Sequence, residues 1–193
     1  VIGTFIMVAT YSLFYIMTAF AQAYSRTPAT LSEAGYPMGL GIPANTFTGL
    51  LLMSAIVFAI FISISGLYAD KIGRRKWLIW TTVSILIFAL CMPLFLGNGT
   101  PTSVFAFLVI GMALMGMTFG PMAALLPELF PTEVRYSGAS LAYNIASIIG
   151  ATIAAMISLK INALYGLMGV GIYLAINAFL TLLALLASKE TKN

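Results

Sequence analysis

The chain contains no histidine, one aspartate (Asp70) and one cysteine (Cys91). A His-Glu-x-x-His zinc site and a serine–histidine dyad both need an imidazole, and a paired-aspartate protease needs a second aspartate. A phosphate-cradling glycine loop is also missing, so the chain does not read as an enzyme, and neither cofactor nor metal is expected. The residues that remain pair and hydrogen-bond rather than react. Asp70, Lys71, Arg74, Arg75 and Lys76 fall within seven positions of the stretch Gly66–Lys76, in a chain with only nine basic and five acidic residues. A second charged cluster, Pro127–Gly138, holds Glu128, Glu133 and Arg135. A carboxylate held away from water stays ionised only beside a cation, and Arg74 or Arg135 could supply one to Glu128. The planar guanidinium can grip a carboxylate with two parallel hydrogen bonds. If the loop is fully solvated, such pairs contribute only about 0–1 kcal/mol. Pro127 and Pro131 restrict the chain around Glu128 and favour a defined geometry.

The uncharged polar groups form stripes. Thr4, Tyr11, Tyr15, Thr18 and Gln22 are spaced by seven, four, three and four, which puts them on one face of a helix. Such a stripe can line a cavity that holds a polar solute, or it can hydrogen-bond to a neighbouring helix at about 0.6 kcal/mol per contact. Further along, Ser140, Asn144 and Ser147, with Tyr143 at the margin, form a second polar face. Asn144 has the largest hydrogen-bonding capacity of that group. Roughly opposite, Gly138, Ala142, Ala146, Gly150 and Ala154 repeat every four residues, a track of small residues suited to close helix packing. Gly111, Gly116, Gly120 and Pro121 favour a bend that could gate a cavity or simply permit close packing. Met112, Met115, Phe119 and Met122 share a face of the same segment and fit core or lipid contact.

The elements that position these groups follow from composition. The 193 residues are 61% hydrophobic and 7% charged, with a mean hydropathy of +1.05, which is the makeup of an integral membrane protein. About 20 apolar residues cross the hydrocarbon layer as a helix. Six segments meet that length: 3–23, 46–68, 77–96, 102–126, 138–159 and 167–187. Lipid requires every backbone polar group to be satisfied internally, so an all-α, polytopic fold with six transmembrane helices in one domain, 1–193, is expected. Segments 69–76 and 127–137 and the C-terminal tail carry seven of the nine basic residues, which makes them the cytoplasmic side. The connections 24–45, 97–101 and 160–166 carry only Arg26 and Lys160. Prolines and glycines between 24 and 45 forbid a long helix there, and Asn98-Gly99 makes a tight turn. Cys91 sits in an apolar run as a small core residue, and no internal disulfide exists. The basic residues cluster at span ends, which argues against nucleic acid as a partner. The chain opens at Val1 directly into an apolar segment and is expected to be a piece of a longer protein.

Gly66-x-x-x-Asp70-Lys71-x-Gly73-Arg74-Arg75 resembles the loop signature of the major facilitator superfamily, with Lys71 where the usual form has arginine. Taken with Phe14-Tyr15-Ile-Met-Thr18-Ala-Phe20 and Glu128-Leu-Phe-Pro-Thr-Glu-Val-Arg135-Tyr-Ser-Gly138, the whole chain resembles the metabolite:proton symporter family. The resemblance implies spans seven to twelve of a twelve-span carrier in the bacterial inner membrane, one half of a fold built from 3+3 inverted repeats. It implies alternating access by rocking of two six-helix halves about a site near the bilayer midplane. Its partners would be a missing N-terminal six-helix half, the lipid bilayer, a small polar metabolite such as an organic acid or a betaine, and protons. Asp70 would cap the positive end of a helix in the other half. Arg74 and Arg75, with Glu128 and Arg135, would form the ion-pair latch of the cytoplasmically closed state, and Glu133 belongs to the same cluster. No ionisable Asp, Glu, Lys, Arg or His lies mid-span, so a proton relay would sit in the other half. The competing expectation is a non-transporting or self-associating membrane helix bundle, which the small-residue track would permit.

Overall fold

The computed structural model describes residues 2–148 and 154–188. Gly150 of the small-residue track, the middle of the expected fifth span and the tail lysines Lys189 and Lys192 lie outside them. All regular structure among the described residues is helical, and the only strand-like feature is an isolated antiparallel bridge between Leu31 and Pro37.

The chain begins with α1 (Ile2–Tyr15), runs through a five-residue π-turn (Ile16–Phe20) and continues as α2 (Ala21–Arg26). Backbone angles at Tyr15, Phe20 and Ala21 stay helical, so the three pieces form one rod. Thr27 is extended, as a residue before proline must be. The loop that follows contains no helical turn. It folds back onto the rod, with Leu40 N donating to Tyr24 O at 3.1 Å and Ile42 N to Ser25 O at 2.7 Å.

Helix α3 (Ala44–Ile72) runs unbroken for 29 residues, and Gly73, at φ 108°, makes the corner into α4 (Arg74–Leu90). A residue with a Cβ rarely adopts that angle. The segment expected as span 77–96 is two helices, because α4 stops at Leu90, Cys91 turns, and α5 (Met92–Leu96) resumes with Pro93 in its first turn. Thr100 caps α6 (Pro101–Glu128) by accepting from Ser103 N at 3.2 Å. A 3₁₀ turn (Thr132–Val134) leads into α7 (Arg135–Ile148).

The last element, α8 (Ala154–Ala187), narrows the expected connection 160–166 to its final residue. The chain is helical on both sides of a single break at Gly166, at φ 69° and ψ −170°. A Cβ on Gly169 would lie 2.7 Å from Ile161 Cγ2, whereas residues eight apart on an unbroken helix are about 12 Å apart. The turn is therefore one glycine wide. Among the described residues, four helical stretches are long and apolar enough by length and composition to cross a membrane: Gly3–Arg26, Ala44–Ile72, Pro101–Glu128 and Met156–Ala187, the last of them broken at Gly166.

Lipid tails are as apolar as leucine, so close backbone approach rather than burial drives helix association here. The α3–α6 contact illustrates it. A Cβ on Gly116 would come within 2.7 Å of Phe58 O, and one on Gly120 within 2.4 Å of Ser65 Oγ. Two apolar clusters fill the interior, one around Leu13, Ile16, Phe20, Phe88 and Phe107, the other around Met7, Leu78, Met122, Ala142 and Leu185. Met112, Met115 and Met122 are buried core residues.

Candidate functional site

The rod α1–α2 has two faces. Leu13, Ile16, Met17, Phe20 and Tyr24 are fully buried, whereas Tyr11, Tyr15, Thr18 and Gln22 are half-buried on the other side. The rod thus turns its apolar stripe into the bundle and its polar stripe outward. Helix α7 does the same. Ala139, Ala142 and Ala146 are buried against the bundle, with Ala142 Cβ 3.7 Å from where a Cβ on Gly3 would stand. Ser140 and Asn144 are exposed, and Tyr143 and Ser147 are half-buried.

These two faces meet at their tyrosines. Tyr11 and Tyr143 pack against the same apolar cluster, around Met7, Leu78 and Met122. The Tyr11 ring meets Phe119 of α6 edge-on at 6.4 Å, and Phe14 meets Tyr15 edge-on at 5.1 Å. The result is a wall with three phenols in an aromatic setting, able to hydrogen-bond a polar solute and to present ring faces to a cation. Other polar groups on the stripes turn to their own helices: Thr18 donates to Phe14 O at 2.7 Å, and Asn144 Nδ2 to Ser140 O at 2.8 Å. Gln22 stands three turns beyond Tyr11, about 16 Å along the axis, and is not part of the tyrosine cluster.

At the other charged end, Arg74 is shared. Its Nε donates to Asp70 Oδ1 at 2.8 Å, and its Nη1 donates to Glu128 Oε1. One guanidinium therefore ties together the end of α3, the start of α4 and the end of α6. Partial burial works against its charge, but the Asp70 and Glu128 carboxylates outweigh that and raise its pKa above the ordinary arginine value.

Arg75, expected in the same latch, points elsewhere. Its Nε and Nη2 donate to Leu185 O at 2.7 Å and Leu186 O at 2.8 Å, so it caps the carbonyl end of α8. Arg135, expected in the same cluster, has its Nε buried with no hydrogen-bond partner. Glu133 is exposed on the 3₁₀ turn. The described residues bring no three His, Cys, Asp or Glu side chains together as a metal site.

Three features of the site have no counterpart in the sequence reading. Asn177 Nδ2 donates to Ser12 Oγ at 2.9 Å in the interior. Thr181 Oγ1 accepts from Ala9 N at 3.0 Å and donates to Phe5 O at 2.7 Å, so a side chain from α8 stands inside the hydrogen-bond ladder of α1. Asn177 and Thr181 are four apart in an apolar run, a spacing that signals one polar helix face. The π-turn at Ile16–Phe20, which contains Thr18, has no such signal.

Residues 38–193 match the model of the family described as "Sugar (and other) transporter". A protein of Haemophilus influenzae named for metabolite transport is 86% identical over 193 residues, covering all of this chain and 44% of that protein. The inner membrane metabolite transport protein YhjE of Escherichia coli K12 is 53% identical over 195 residues, covering all of this chain and 42% of its own length. The proline/betaine transporter of Salmonella typhimurium is 32% identical over 149 residues, 75% of this chain and 29% of that one. The chain thus spans less than half the length of the curated relatives it matches. No solved structure matches it. With its apolar helices and these relatives, the chain is a multi-pass membrane protein of a transporter family rather than an enzyme, and it belongs to the sugar (and other) transporter family of the major facilitator superfamily.

Proposed function

We propose that this chain is the C-terminal six-helix half of a secondary transporter that moves a small polar metabolite by alternating access. The observation that carries the proposal is the wall of Tyr11, Tyr15 and Tyr143, half-buried at the edge of the bundle, with Tyr11 and Tyr143 seated against its apolar core. A helix face that met only lipid would have no use for three phenols. A partner half facing this wall would enclose the solute near the bilayer midplane, as in carriers built from two helical repeats. The wall has no charged side chain, so it suits a solute recognised through hydroxyl hydrogen bonds and aromatic faces, such as a betaine or another small zwitterion. Relatives named as proline/betaine transporters accord with that class.

The Arg74 cluster would hold the cytoplasmic ends of α3, α4 and α6 together in one state and release them in the other. Segments 69–76 and 127–137 and the C-terminus lie on the cytoplasmic face of the inner membrane in this proposal, because basic residues concentrate there. Proton coupling would use groups in the other half.

The test is uptake of radiolabelled glycine betaine, proline and organic acids into proteoliposomes that hold this half alone or with the matching N-terminal half, with and without a proton gradient. Uptake only with both halves supports the proposal and identifies the solute class. Uptake by this half alone points to a self-complementing dimer and overturns it. Absence of uptake in both leaves a self-associating helix bundle.

A further inference from the structure

Pro121 has no amide hydrogen, so the carbonyl of Met117, four residues earlier in α6, loses its helical donor. Trp77 of α4 takes that place: its indole Nε1 donates to Met117 O at 2.9 Å. One residue before, Gly116 O receives Ser65 Oγ of α3 at 3.0 Å. The carbonyls one turn before Pro121 in α6 are thus held by side chains from two neighbouring helices.

Trp77 also stacks on Tyr68 with ring centroids 6.1 Å apart and planes 19° from parallel. Tyr68 precedes Asp70 by two residues, and Trp77 follows Arg74 by three, close to one helical turn. A tryptophan at a membrane interface is ordinarily an anchor with its N–H in the headgroup region. Trp80, 79% exposed, fits that description, whereas Trp77 is half-buried and spends its N–H on a helix carbonyl.

We propose that Trp77 is a positioning residue for gating: its bond to Met117 O joins the Arg74 ion-pair cluster to the proline turn of α6 at Pro121. The bond then helps to hold the ends of α3, α4 and α6 together in the state in which the Arg74 cluster is made. This inference rests on the carrier proposal above.

The test uses the full-length carrier that contains this chain, with Trp77→Phe, Pro121→Ala and the double variant. Trp77→Phe keeps an aromatic ring and removes the donor. Pro121→Ala restores a backbone amide four residues from Met117 and makes the indole donor redundant. Two quantities are read: the thermal unfolding midpoint in detergent, and the labelling rate of a reporter cysteine at Ser137→Cys, an exposed position at the start of α7.

Trp77→Phe alone is expected to lower the midpoint and to raise labelling about threefold, the change that one interhelical hydrogen bond in a membrane typically produces. In the Pro121→Ala background the same substitution is expected to change neither. Equal effects in both backgrounds overturn the bond. A lowered midpoint with unchanged labelling overturns the gating role. Failure of the unaltered carrier to take up any tested solute overturns the carrier proposal and the gating role with it, while the midpoint cycle still decides the bond.

Discussion

Replacing Arg74 by alanine removes a side chain that joins α3, α4 and α6 at their charged ends. Its side chain is 27% exposed, and those of Asp70 and Glu128 are 62% and 37% exposed, so both contacts are partly screened by solvent. Pairs of that kind contribute about 0–1 kcal/mol each, so the two contacts together contribute up to about 2 kcal/mol. A difference of that size changes a two-state ratio by up to roughly thirtyfold. In the full-length carrier, Arg74→Ala should therefore raise the labelling of cytoplasmic cysteine probes by up to that factor. Arg74→Lys should recover part of the loss, because an ammonium keeps the charge but not the fork that reaches two carboxylates. A cycle of Arg74→Ala with Glu128→Gln should be sub-additive, since the two residues share a contact.

The pH dependence has a definite sign. The Arg74 pKa is raised in the fold, so its stabilisation is fully present below the unfolded value and is lost only as pH rises through the higher folded one. Both values lie above the physiological range, so the charge of Arg74 introduces no titration there. Labelling unchanged by Arg74→Ala, or strict additivity with Glu128→Gln, would refute the shared-clamp reasoning.

Three further outcomes follow from the packing and the site. Gly120→Val would push a side chain against Ser65 Oγ and Ile62 O, and a forced misfit of this kind costs about 1–3 kcal/mol, read as a lower unfolding midpoint of the purified full-length protein. Asn177→Leu removes the donor to buried Ser12 and should cost about 0.6–1.7 kcal/mol in the same measurement, with Ser12→Ala largely cancelling the loss in the double variant. Tyr143→Phe should weaken solute uptake through a raised half-saturation concentration, about threefold or more for one lost hydrogen bond, and leave the unfolding midpoint near that of the parent; an unchanged uptake curve would remove Tyr143 from the wall.

Much of the candidate site is legible because helical periodicity is geometric. The spacing of Tyr11, Tyr15, Thr18 and Gln22 puts them on one face in any α-helix, and the structure turns that face outward. The small-residue track on α7 likewise faces the bundle at Ala142 and Ala146. Glu128 between prolines invites a cationic partner, and Arg74 is the residue that meets it. The same logic fails for Arg75, because in sequence an adjacent arginine looks equivalent to Arg74. Successive helix positions point about 100° apart, and that rotation sends Arg75 to the carbonyl end of α8 while Arg74 reaches Glu128. The expected connection 160–166 does contain the break, but it is narrower than expected: the chain stays helical up to Gly166, and one glycine at positive φ is enough to reverse it.

Composition and the length of the apolar runs determined that this chain lives in a membrane as helices, because a run of about 20 apolar residues in hydrocarbon satisfies its own backbone polar groups as a helix. Local order also determined where charge must collect, since arginine, lysine and glutamate are expelled from the spans to their ends. Which carbonyl each donor finds is a matter of three-dimensional proximity. Trp77 and Met117 are 40 residues apart, Arg75 and Leu185 are 110, and Ala9 and Thr181 are 172. Periodicity assigns a residue to a face of its own helix, but only the packing of one helix on another decides what that face meets, and the tertiary structure supplied those pairings.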